Sequence, residues 1–156
     1  MTDQPQPVFV DGRQSERALA IARGTLRMLR GLDYAGIQEF TLADGRRADI
    51  IAIANKGEIW IIEIKSSVAD FLADEKWQEY LAFCDRFFFA VGPDFPQELI
   101  PDDVGLIIAD KYGAGILREA PVSPLAAARR KVVTLRFARA AAQRLHMLFD
   151  PEGWAS

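Results

Sequence analysis

The chain has 156 residues, half of them hydrophobic and 26% charged, with a formal net charge of −3. Those proportions allow one compact domain with a real core and exclude a disordered or collagen-like chain. A single cysteine, Cys84, and a single histidine, His146, exclude an internal disulfide, a Cys-type zinc site and any chemistry that needs two histidines. One lone thiol points to a reducing, cytoplasmic setting. No apolar run approaches the ~20 residues of a membrane span. The opening residues lack the basic start and apolar stretch of a signal peptide.

The net charge hides an asymmetry. From Arg118 onward basic residues outnumber acidic ones, leaving that end at +4 and the remainder at −7. An acidic body with a basic terminal helix is compatible with an anionic partner such as DNA, and equally with a solvated helix face.

Residues 1–12, with Pro5 and Pro7, read as a loose segment ahead of a single domain over 13–156. Helical periodicity follows from Ser15, its N-cap, to Leu29, with Gly31 as the stop. Three strands come next: Ile37–Leu42, Ala48–Ala54 and Glu58–Ile64, joined by turns at Asp44-Gly45 and Asn55-Lys56-Gly57. A helical region runs from Val68 to Cys84, broken near Asp74. Arg86–Val91 reads as a buried strand, and Val104–Ala109 and Ala114–Arg118 as two more. A long helix spans Pro124 to Phe149, capped by Ser123, with Leu125, Ala128, Val132, Leu135, Ala142, Leu145 and Phe149 as its apolar stripe. Helix, three strands, helix, two strands and helix describe an α/β chain with a mixed central sheet flanked by helices.

The informative feature is strand register. If Asn55-Lys56-Gly57 is a three-residue hairpin loop, Gly57 takes the left-handed position and Ala54 faces Glu58. Asp49 then faces Glu63, and period two puts Lys65 on the face of Glu63. The same rule at Ala43-Asp44-Gly45 sets Glu39 opposite Asp49. Three carboxylates would lie across neighbouring strands, with directly opposed Cβ atoms ~5 Å apart. A two-residue loop at Lys56-Gly57 would break the row.

Both faces of this hairpin are apolar, so both are covered, and carboxylates there are costly unless paired or metal-bound. Like charges side by side raise one another's pKa, and a hard divalent cation removes the conflict. The competing reading is an internal salt-bridge cluster in which Lys65, Arg46 or Arg47 neutralises the acids.

Asp49 followed by Glu63-Ile64-Lys65 at a strand end resembles the PD-(D/E)XK nuclease superfamily. The longer string RRADIIAI, then IIEIKSSVADFLADEKWQEYLAFCDRFFFAV, is similar to the MmcB-related DNA repair proteins, assigned to that superfamily. The resemblance implies a restriction-endonuclease-like core and Mg2+- or Mn2+-dependent hydrolysis of DNA phosphodiesters. It makes Asp49, Glu63 and the Ile64 carbonyl metal ligands, and Lys65 the residue that positions water and stabilises phosphate charge. Ala48 stands where the superfamily often has proline. Some members bind DNA without cutting it, so a DNA-binding repair module without turnover is the alternative.

Glu39 is a third ligand or outer acid on the register argument. Glu16 simply suits the start of its helix. Lys76 and Gln78, and Arg129, Arg136 and Arg139 on the last helix, are candidate DNA contacts, while Trp77 and Tyr80 read as core. Nucleases that cut both strands often pair as symmetric dimers, but no feature of the sequence locates an interface.

Overall fold

The computed structural model describes residues 15–154. The loose segment expected over 1–12 lies outside the described residues. Helix α1 (Glu16–Gly31) is followed by strands β1 (Tyr34–Thr41), β2 (Arg47–Ala54) and β3 (Ile59–Lys65), and then by helix α2 (Val68–Ala73). A 3-10 segment, Trp77–Phe83, leads to β4 (Arg86–Val91), β5 (Gly105–Ala109), β6 (Ala114–Arg118) and α3 (Ala127–Phe149). The six strands form one sheet in sequential order, parallel across β3–β4–β5 and antiparallel elsewhere. This is the α/β fold with a restriction-endonuclease-like core.

Strand composition explains the layering. Alternate residues of β2, β3 and β4 supply two cores, one per face. Ile51, Ile61, Phe87 and Phe89 pack against the 3-10 segment and α3. Ile50, Trp60, Ile62 and Phe88 pack against α1. Every residue of β3 is buried, as a central strand covered on both faces requires.

The hairpins follow the expected register. Gly57 (φ +95°) and Gly45 (φ +87°) take the left-handed positions. Ala54 N–H donates to Glu58 O at 3.0 Å and Leu42 N–H to Arg46 O at 2.7 Å. Ile50 pairs with Ile62 and Ile51 with Ile61.

The helical region after β3 does break at Asp74, and its second half is a 3-10 segment. Trp77, Tyr80 and Cys84 are buried there, whereas Leu81 is exposed.

The last helix departs twice from the sequence reading. It begins at Ala127, not Pro124, and Ser123 does not cap it. Residues 123–125 run extended over Asp85, whose backbone carbonyl accepts Ser123 N–H and whose carboxylate accepts Leu125 N–H, both at 2.8 Å. The helix is also rotated. Val133, Phe137 and Ala140 face the sheet, while Val132, Leu135, Leu145 and Phe149 of the expected stripe are exposed. Two arginines set that rotation: Arg130 grips Asp85, and Arg144 reaches the Gln38 and Glu39 carbonyls.

Candidate metal centre

Ladder pairing between β2 and β3 stops at Ile50–Ile62. Beyond it Asp49 replaces the missing backbone acceptor: its Oδ2 takes the Ile64 N–H at 2.8 Å. In an extended strand the N–H and C=O of one residue point to the same edge, so the Ile64 carbonyl also faces β2. Glu63 projects into the face covered by the 3-10 segment and is 4% exposed. The Asp49 carboxylate and the Tyr80 hydroxyl lie beside it. Burial, reinforced by the Asp49 carboxylate, raises the Glu63 carboxyl far above the usual carboxylate range. Its Oε1 is buried without a hydrogen-bond partner.

The cations around this pair are committed elsewhere. Lys65 Nζ lies 2.7 Å from Asp74 Oδ2. Arg47 Nε lies 2.7 Å from Glu39 Oε2, and Arg46 pairs with Glu79 while covering the Tyr80 ring at 5.5 Å. Among the described residues no ion pair therefore reaches Asp49 or Glu63, although the Lys65 charge acts on Glu63 from the same face. Asp74 is raised by burial, but the Lys65 ammonium and the Lys76 N–H outweigh this and hold it below its ordinary value.

Glu39 is opposite Asp49 by count, but its backbone is left-handed (φ +50°) and its carboxylate pairs with Arg47. That reversal lets Ile37 and Phe40 pack into the same core. Among the described residues no group of three or more His, Cys, Asp or Glu side chains forms a metal-holding set. The Asp49–Glu63 pair and the Ile64 carbonyl are the donors that remain. They suit a cation that takes one or two carboxylates and keeps its waters, and the orphaned Glu63 oxygen fits one. Glu16 stands exposed on α1, the helix that packs on the opposite sheet face.

The other candidates spread around this centre. Lys76 and Gln78 are exposed at the start of the 3-10 segment, and Arg129 stacks over Phe83 at 4.9 Å. Arg136 and Arg139 line an open groove of about 380 Å³ against Glu39 and Thr41. Sequence reasoning missed Asp74 as the partner of Lys65 and read Tyr80 only as core. Tyr80 is buried, yet its hydroxyl sits at Glu63 and donates to Arg47 O at 2.8 Å.

A family model of MmcB-like DNA repair proteins matches residues 4–152. The chain belongs to that family. Its family membership carries a role in DNA repair. No curated protein matches the chain. A solved structure from Silicibacter pomeroyi, described as the SPO1766 protein of unknown function, is 52% identical with a TM-score of 0.86. The match covers 89% of this chain and 95% of that one. Among the described residues no helix of this MmcB-like protein is long and apolar enough to cross a membrane.

Proposed function

We propose that this MmcB-like protein is a Mg2+-dependent DNA nuclease of the PD-(D/E)XK type. One observation carries the reading: two adjacent carboxylates, one of them buried with an orphaned oxygen, have no ion-pair partner among the described residues, while Lys65, Arg46 and Arg47 each pair with a different acid. Ionising both groups costs stability unless a divalent ion joins them.

Asp49, Glu63 and the Ile64 carbonyl hold the ion, and Mn2+ suits the same oxygen donors. When bound, it supplies Lewis-acid polarisation and a water of lowered pKa. Lys65, on the same face as Glu63, would position the attacking water and offset phosphate charge. Asp74 fixes the lysine's position. Asp49 is held in place by the Ile64 N–H through its Oδ2. The exposed cations Lys76, Arg129, Arg136 and Arg139, with Gln78, contact the DNA backbone.

The test is cleavage of single-stranded, duplex and branched DNA with Mg2+ or Mn2+, beside Glu63→Ala and Lys65→Ala. Each substitution is expected to lower the rate by ~100-fold or more. Cleavage surviving both would place the chemistry elsewhere. Salt-dependent binding without any cleavage would leave a DNA-binding repair module in its place.

A further inference from the structure

Helix α3 turns its sheet-facing side to the core with only Val133 fully buried, and leaves large apolar side chains on the other side. Leu135 is 54% exposed, Leu145 55% and Phe149 82%. Their spacing is not random. Ala128, Leu135, Ala142 and Phe149 are seven residues apart, all exposed. Lys131, Ala138 and Leu145 are again seven apart, all exposed, and sit three residues after the first set. Alternating steps of three and four over 22 residues are the 3.5-residue repeat with which one helix packs along another. The side packed on the sheet steps in the same way, through Arg130, Val133, Phe137, Ala140 and Arg144, so α3 carries a packing spacing on both sides.

We propose that α3 pairs antiparallel with α3 of a second copy of this chain, forming a two-fold homodimer along a seam ~33 Å long. The order of residue sizes supports a self-pairing. In the register centred on Ala140, Leu135 meets Leu145 of the second copy and Ala138 meets Ala142. Small residues then bring the helices close at the axis, and leucines close the seam on each side. At the ends the Lys131 ammonium meets the Phe149 ring, a favourable cation–aromatic contact.

Charge selects the same arrangement. Helix α3 contains no acidic residue, and its basic turn, Arg129 to Lys131, lies at the N-terminal end. The acids Asp150 and Glu152 follow its C-terminal end. Antiparallel pairing sets those acids of each copy near the exposed Arg129 and Lys131 of the other, Arg130 being held by Asp85, and opposes the helix dipoles. Parallel pairing would stack like charges and aligned dipoles. DNA is a poor occupant for the seam itself, since it offers no apolar surface along its backbone.

The pairing has one unfavourable element. Arg139 flanks the seam near the axis, so both copies bring it to the same side. Salt screens that repulsion and the attractions at the ends alike, which leaves the apolar seam to carry the pairing. The full-length chain at ~0.5 M NaCl is the right sample, with mass measured by light scattering or sedimentation up to ~100 µM. A mass of two chains is expected. Leu135→Asp and Leu145→Asp each weaken association ~10-fold or more, with circular dichroism unchanged and the melting temperature unchanged in dilute protein, where the parent is dissociated. Independently of those variants, Ala138→Cys/Ala142→Cys oxidises to a covalent dimer far faster than Ala138→Cys alone. A monomer throughout the range overturns the proposal, as does a dimer indifferent to both aspartates. Cross-linking as fast through Ala138→Cys alone would mean parallel pairing and overturn it too.

Discussion

Glu63 concentrates the cost and the use of the site in one side chain. It is 4% exposed, beside Asp49, with Oε1 unpartnered. A carboxyl raised in the fold stabilises it below the unfolded carboxyl value, about 4.3, and that stabilisation is lost as pH rises toward the folded value. In EDTA, Glu63→Gln is therefore expected to match the parent near pH 4 and exceed it by about 1–3 kcal/mol near pH 8. Thermal melts at both pH values check this, and a Gln variant that is less stable at pH 8 refutes it. With Mg2+ the order reverses, because the parent gains binding energy that the Gln variant lacks. The Asp49–Glu63 pairing was legible in the sequence because two turn glycines set the register and strands alternate with period two. Asp74 and Tyr80 were not. They come from a helix break and a 3-10 segment, where no fixed period says which side chain turns inward.

Among the elements, α3 shows why a helix can be recognised and still be misplaced. Its residues are apolar on several sides, so periodicity alone does not choose the inward face. Two polar anchors choose it, and each has its partner about a hundred or fewer residues away. Arg130 makes two 2.6 Å bonds to the buried Asp85 carboxylate and a third, at 2.8 Å, to Gly57 O. Asp85 also accepts Ile59 N–H at 2.7 Å, tying the start of β3 to the approach to α3. Burial raises the Asp85 carboxyl, but the Arg130 bonds and the Leu125 and Ile59 N–H groups outweigh it, so its net pKa is lowered. Asp85→Ala leaves Arg130 and two backbone N–H groups without their acceptor and is expected to cost about 3–5 kcal/mol. Urea midpoints at pH 7 measure that loss. A carboxyl lowered in the fold stabilises it above its unfolded value, about 3.9, and the benefit disappears as pH falls through the folded value. Stability of the parent thus drops more steeply below pH ~4 than that of Asp85→Asn. Parallel slopes would show that Asp85 does not carry the acid sensitivity.

At the scale of the whole molecule, charge is segregated as the sequence indicated, and the fold gives the segregation a location. The basic helix α3 runs beside β1, and the groove between them is lined by Arg136, Arg139 and Arg144 with Glu39 on its rim. Glu39 lies across from Asp49 in strand order. The three arginines are not equivalent. Arg144 is spent on the Gln38 and Glu39 carbonyls at the left-handed turn of β1, and Arg136 leans on the Thr41 and Leu42 carbonyls at 3.3–3.4 Å. No hydrogen bond or ion pair engages Arg139 among the described residues, so its guanidinium is the one available to a phosphate. Arg139→Ala is expected to weaken DNA binding and to lower the slope of log affinity against log salt by ~0.9, one phosphate contact, without moving the melting temperature. Arg144→Ala is expected to do the reverse, lowering the melting temperature because two carbonyls lose their donor. Anisotropy titrations of duplex DNA between ~50 and 200 mM salt, paired with melts, separate the two. If Arg139→Ala keeps the full salt slope, DNA does not run along α3, and the acidic body must present its phosphate contacts through Lys76 and the 3-10 segment instead.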